Sequence, residues 1–328
     1  MERVVDIAGG DKHVCLLFNT NVVRCFLSKD GMTPIEVPAL QPKVQGPLSA
    51  LFSGGSTTCA SSSAMDASFC WNRLGEAEWA QGDAADQILI SDGSTTMPLW
   101  CERDADGIRC WGATDELFSE PCDDGDPSEK VHFMAGAISA EIGRSHVCAV
   151  LDDGNVRCFG YNGGDEGVSC GSLAVTHCCA EDMACASVPA ACDTCNPCGG
   201  LAMNAIALSA WEDVTCVLTT DGFMQTEVCW GPYGGLAVAD LEECGMSNGA
   251  QLAVFDDGGQ PASCVAASEG LNLCCKGMDG AHVVSLDMVT ADVERIVGTA
   301  DGAFVLASHG VVYKVSAPGW TLEPIFPA

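Results

Sequence analysis

Ile138-Ser139-Ala140-Glu141-Ile142-Gly143-Arg144-Ser145-His146-Val147-Cys148-Ala149-Val150-Leu151-Asp152-Asp153-Gly154-Asn155-Val156-Arg157-Cys158-Phe159-Gly160-Tyr161-Asn162 decides the fold. It reads as strand, short turn, strand, tight turn, strand. Asp153-Gly154 between apolar stretches is a hairpin signal, because glycine takes a positive φ without steric cost.

The same phrase recurs along the chain. It runs from Val4 to Phe26 with His13, Cys15 and Cys25, from Leu48 to Trp71 with Cys59 and Cys70, and from Leu89 to Trp111 with Cys101, Gly107 and Cys110. Further copies run from Ile206 to Trp230 with Cys216, Gly222 and Cys229, and from Ala250 to Cys275 with Cys264, Gly270 and Cys274. The last copy, Val293 to Val315, keeps Gly310 but has Phe304 and Lys314 in place of the cysteines. Copies begin near residues 4, 48, 89, 138, 206, 250 and 293, in steps of 44, 41, 49, 68, 44 and 43. A period in the low forties with several short strands per unit is the signature of a β-propeller. No stretch carries a competing helical period. The expectation is an all-β chain: one seven-bladed β-propeller domain spanning 1–328, with four-stranded antiparallel blades and a cysteine-rich insertion at 163–199 after the fourth repeat.

An outer-strand phrase such as Thr33-Pro34-Ile35-Glu36-Val37 precedes several copies but not the first, while Thr321-Leu322-Glu323-Pro324-Ile325-Phe326 follows the last. That pattern predicts that the C-terminal strand pairs with the N-terminal repeat and closes the ring, removing an open edge.

Gly143-x-x-His146-x-Cys148-Ala149-x-Leu151, then Asp153-Gly154-x-Val156-x-Cys158-Phe159-Gly160-x-Asn162, resembles the repeat of the regulator of chromosome condensation family. The cysteine pair resembles the extracellular bacterial branch of that family. Trp-Gly after the second cysteine survives at Trp111 and Trp230, but is Trp71-Asn72, Phe26-Leu27 and Cys275-Lys276 elsewhere. The family includes a nuclear exchange factor and an inhibitor that grips its target enzyme with one propeller face. Neither function carries over residue by residue, and fold does not fix function.

The chain has 22 cysteines, a density suited to an oxidising compartment. Within a copy they flank the hairpin at separations of 10, 11, 9, 10, 13 and 10 residues. Antiparallel neighbours hold such positions about 4.5–5.5 Å apart, within the span of a disulfide. The predicted bonds are Cys15–Cys25, Cys59–Cys70, Cys101–Cys110, Cys148–Cys158, Cys216–Cys229 and Cys264–Cys274; buried free thiols are the alternative. Seven cysteines lie in the insertion: Cys170, Cys178, Cys179, Cys185, Cys192, Cys195 and Cys198. Seven is odd, so full oxidation sends at least one outside, and Cys122 and Cys244 in flanking linkers are the candidate staples. Cys192-x-x-Cys195-x-x-Cys198 also reads as a thiolate zinc site, although no histidine stands at finger spacing.

The formal net charge is -31. Such a surface repels nucleic-acid backbones and anionic membranes and resists aggregation. No apolar run approaches the roughly 18 residues of a membrane span. Met1-Glu2-Arg3-Val4 opens no export signal. A secreted or cell-surface reading therefore expects either a mature chain or a segment excised from a longer protein.

No phosphate loop, dinucleotide fingerprint, His-Glu-x-x-His or Gly-x-Ser-x-Gly occurs, and no catalytic, cofactor-binding or metal residue is assigned. His13 and His146 share one repeat position, which favours a structural role. Asp123-Asp124-Gly125-Asp126 and Asp256-Asp257 resemble fragments of calcium loops without the closing glutamate; they read as solvated turns, with calcium left open. Trp71, Trp111 and Trp230 read as blade packing. The function expected is a non-enzymatic extracellular recognition or scaffold module that presents loops and the insertion to another protein. The alternatives are a structural subunit of a surface assembly or filament, a calcium- or glycan-binding module, and an enzyme whose site is gathered from several blades.

Overall fold

A computed structural model describes residues 2–29, 33–35, 37, 46–62, 67–72, 77–80, 87–91, 99–104, 107–112, 131–133, 136–144, 146–160, 204–212, 214–220, 225–230, 241, 244, 246, 249–256, 261–267, 272–277, 280–285, 292–316 and 320–326. Every regular element among them is a strand, and no helix among them is long and apolar enough to cross a membrane.

The strands form seven antiparallel sheets, each from one contiguous stretch of chain. The first holds β1 (Val4–Gly9), β2 (His13–Phe18), β3 (Val23–Leu27) and β4 (Pro34–Ile35); the second holds β5 (Ala50–Gly54), β6 (Thr57–Ser62), β7 (Ala67–Asn72) and β8 (Ala77–Ala80). The third holds β9 (Gln87–Ser91), β10 (Leu99–Asp104), β11 (Gly107–Gly112) and β12 (Val131–Phe133). The fourth holds β13 (Ala137–Ile142), β14 (His146–Leu151) and β15 (Val156–Gly160), and the fifth β16 (Ala205–Trp211), β17 (Val214–Thr220) and β18 (Gln225–Trp230). The sixth holds β19 (Gly249–Asp256), β20 (Pro261–Ala267), β21 (Asn272–Gly277) and β22 (Gly280–Ser285); the seventh holds β23 (Val293–Thr299), β24 (Gly302–Ala307), β25 (Val312–Ser316) and β26 (Thr321–Phe326).

Local chemistry explains the shared form. β2, β14 and β24 are buried at every position, so both faces of each sheet are covered and the strands read as apolar runs. The turns that follow them place Asn21, Gly154 and Gly310 at φ values of +63°, +78° and +80°. Asparagine tolerates this left-handed conformation better than most residues, which is why the first copy folds without the turn glycine.

The chain divides into two compact units, residues 1–85 with 240–328, and residues 86–239. In the first, apolar clusters join the sixth sheet to the seventh, the seventh to the first, and the first to the second. In the second, clusters join the third sheet to the fourth and the fourth to the fifth.

The expected pairing of the C-terminal strand with the N-terminal repeat is corrected. β26 pairs with β25, from Ser316 opposite Thr321 to Val312 opposite Phe326. The fourth place in the first sheet is taken by β4, where Ile35 faces Cys25. A strand that follows its neighbour after a short connection closes a small loop at little entropic cost. The first and seventh sheets meet face to face instead, around Phe18, Ile7, Phe304 and Leu306.

Candidate functional site

The hairpin cysteines bridge the second and third strands of their sheets. In each pair the two residues face one another across the second and third strands. Cys15 bonds Cys25, Cys59 bonds Cys70, Cys101 bonds Cys110 and Cys216 bonds Cys229, each with Cα atoms 4.0 Å apart. Cys148 is disulfide-bonded and stands opposite Cys158.

The sixth sheet departs from expectation. Cys264 bonds Cys275, not Cys274. Register is the reason: Cys264 faces Cys275, while Cys274 faces Val265. Successive side chains on a strand point to opposite faces, so the neighbouring cysteine is turned away from Cys264. Cys274 instead bonds Cys244, across a Cα separation of 5.7 Å. Cys244 therefore does not staple the insertion. Cys122, Cys170, Cys178, Cys179, Cys185, Cys192, Cys195 and Cys198 lie outside the described residues.

In the seventh sheet Phe304 and Lys314 take the cysteine register. Lys314 Nζ lies 5.7 Å from the centre of the Phe304 ring and donates to the Ser28 carbonyl at 2.7 Å. Ser28 Oγ in turn donates to Asp301 at 2.5 Å. Where the staple within the sheet is missing, the same two positions tie the sheet to its neighbour.

Two further contacts recur between sheets. His13 Nε2 lies 2.7 Å from Thr58 Oγ1, and His146 Nε2 lies 2.5 Å from Thr215 Oγ1. Each threonine precedes the first cysteine of the next sheet. The motif glycine makes room: a Cβ on Gly143 would stand 2.2 Å from the His146 ring, and one on Gly10 would stand 2.1 Å from the His13 ring. Burial lowers the pKa of His146 to about 4. Each of these histidines binds its sheet to the next. The second contact is made by a polar side chain near the start of the first strand in three sheets. Asp6 accepts from the Leu51 amide, Gln87 from the Ala140 amide and Gln251 from the Ile296 amide. Gln87 and Gln251 also donate to the carbonyls of Ala140 and Glu294. Arg295 pairs with Asp6 across the join of the seventh and first sheets.

In five sheets the first strand bulges near its start. Register shifts occur between Val4 and Asp6, Ala137 and Ser139, Ala205 and Ala207, Gly249 and Gln251, and Val293 and Arg295. Each leaves one residue unpaired and turned out. These residues are Val5, Ile138, Ile206, Ala250 and Glu294, all exposed. Ile138 is 57% exposed and Ile206 42%, which makes them prominent apolar residues on otherwise wetted edges. Beside them the exposed turn of Asp152 and Asp153 meets the next sheet, where the Ala205 amide donates to the Gly154 carbonyl. Two exposed isoleucines and two exposed aspartates thus lie on adjoining strand ends and turns of the fourth and fifth sheets. The sequence gives no direct sign of this, because a bulge residue is apolar inside an apolar strand and only the register turns it out.

Other candidates sit as follows. Trp71 is buried and stacks on Phe69 at 6.1 Å. Trp111 and Trp230 occupy the same register position, opposite Trp100 and Thr215. Asp256 ends β19, and Asp123, Asp124, Asp126 and Asp257 lie outside the described residues. Among the described residues, one group has three metal-type ligand atoms within 4.8 Å of one another: Cys216, Glu227 and Cys229. Its two sulfurs are spent on a disulfide.

One repeat is matched by a family model. Residues 137–165 match the regulator of chromosome condensation (RCC1) repeat. No curated protein matches the chain. Among solved structures, the entire ectodomain of the receptor kinase CR4 from Physcomitrella patens is similar at 16% identity, with 97% of this chain and 76% of that chain covered and a TM-score of 0.56. The CRINKLY WD40 ectodomain of the Arabidopsis thaliana receptor kinase ACR4 is similar at 12% identity, with 98% of each chain covered and a TM-score of 0.50. Hsv2 from Kluyveromyces lactis is similar at 8% identity, with 99% of this chain and 98% of that chain covered and a TM-score of 0.53. At these identities the likeness is one of fold: all-β, antiparallel and propeller-like.

Proposed function

We propose that the chain is a non-enzymatic protein-recognition module: a single seven-bladed propeller, secreted or displayed at a cell surface, of the cysteine-paired extracellular type within the RCC1-like repeats. The observation that carries the reading is the row of bulges, which turns Ile138 and Ile206 out beside Asp152 and Asp153. Two exposed isoleucines with exposed aspartates near them suit a partner that presents aliphatic side chains flanked by lysine or arginine. The net charge of -31 favours the same partner and opposes nucleic acid. Disulfides inside successive sheets support an oxidising location. The reading requires no cofactor. The insertion at 163–199 is the second part of the proposed recognition surface.

The test is capture from the native surroundings by three proteins: the natural chain, Ile138→Asp with Ile206→Asp, and a chain lacking residues 163–199. The natural chain retains a partner that the double variant loses, and the deletion weakens capture while the sheets stay folded. Equal capture by all three overturns the reading.

A further inference from the structure

Glu227 breaks the rule of its repeat position. Two residues before the second hairpin cysteine, the other copies have Val23, Ser68, Ile108, Val156 and Leu273, and the seventh has Val312. In the fifth sheet this place holds a carboxyl group that is 1% exposed. Being two residues from Cys229, it lies on the same face of β18 as the disulfide. One oxygen stands 3.5 Å from Cys229 Sγ, and the ligand atoms of Cys216, Glu227 and Cys229 lie within 4.8 Å of one another. Cys229 of this disulfide is 8% exposed, while Cys15, Cys25, Cys59, Cys70, Cys101, Cys110, Cys264 and Cys275 are at 2% or less. One staple of the series thus has a buried carboxyl group beside it, at the cysteine with the largest exposed fraction of those compared.

We propose that Cys216–Cys229 is a redox modification site, opened by a dithiol reductant with Glu227 as the proton donor and acceptor. A thiolate of the reductant attacks Cys229 Sγ. The reductant–Cys229 bond forms, the Cys216–Cys229 bond breaks, and its electron pair goes to Cys216 Sγ. Cys216 is fully buried, so a bare thiolate there would be costly, and the leaving sulfur takes the Glu227 proton as it departs. The second thiol of the reductant gives its proton back to Glu227 and attacks the reductant sulfur of the mixed disulfide. Cys229 leaves and takes up the proton that the first thiol lost to solvent. Two electrons pass: the dithiol becomes a disulfide, and Cys216 and Cys229 become thiols. The other staples lack such a carboxyl at this position and remain closed. Whether or not the bulged face binds a partner does not enter this assignment.

The experiment treats the whole oxidised protein with dithiothreitol, quenches by alkylation at intervals, and follows each cysteine-containing peptide by mass spectrometry. Cys216 and Cys229 become alkylated before Cys15 and Cys25. Glu227→Gln slows that pair about tenfold or more and leaves Cys15–Cys25 unchanged, and Glu227→Asp recovers part of the rate. Unfolding by the substitution would instead open every pair together and faster. Equal rates for the two pairs in the natural chain overturn the proposal. So does a Glu227→Gln chain that opens Cys216–Cys229 at the natural rate or faster, alone or with the other pairs, while Glu227→Asp behaves no differently.

Discussion

At the scale of single residues, a histidine carries the joint between the fourth and fifth sheets. His146 stays neutral in the folded chain until the pH falls to about 4, whereas an unfolded histidine takes its proton near 6.5. Between those values the unfolded chain binds more protons. Stability from this group is therefore full above about pH 6.5, falls as the pH drops towards 4, and levels off below that. The span from 6.5 to about 4 corresponds to about 3 kcal/mol. Urea midpoints measured from pH 7 to pH 4 fall for the natural chain. For His146→Ala they start lower at pH 7, by about 1–2 kcal/mol for the lost bond to Thr215, and fall less with acid. A second residue-level expectation concerns Phe304, fully buried between the seventh and first sheets. Phe304→Ala costs about 3–5 kcal/mol, read as a lower denaturation midpoint with the disulfides intact.

At the scale of elements, the repeat was legible because its chemistry is local. A turn residue able to hold a positive φ, a cysteine on either side and an apolar middle strand each leave a mark in sequence, and the structure forms its sheets from those stretches. Relations between strands were less legible. Cys274 and Cys275 are neighbours in sequence and identical in chemistry, and only the register with β20 decides which of them meets Cys264. The turned-out positions of Ile138 and Ile206 are a matter of register as well. Glu227 is an ordinary charged residue until its strand is seen to bury it. The place of β26 follows from its short connection to β25 and from β4 already occupying the first sheet. Peptide mapping under non-reducing conditions yields Cys264 linked to Cys275 and Cys244 linked to Cys274. Replacing Cys59 and Cys70 together with serine lowers stability by about 2–3 kcal/mol, seen as a lower midpoint with the other pairs retained.

At the scale of the whole molecule, the chain spends its variation on joints and edges. Histidine–threonine contacts join the first sheet to the second and the fourth to the fifth, glutamine–backbone contacts join the third to the fourth and the sixth to the seventh, and Lys314 and Phe304 join the seventh to the first. The bulges turn side chains outward at one end of the first strands without disturbing the pairing behind them. The central claim is that this bulged end is the recognition surface. Hydrogen–deuterium exchange of the chain with and without its captured partner tests it most directly. The account predicts slowed exchange at Ile138, Ser139, Asp153, Asn155 and Ile206 on binding, with no change at Arg144 and Glu212 at the opposite end of the same strands. Protection confined to Arg144 and Glu212, with the bulged end unaffected, would contradict it.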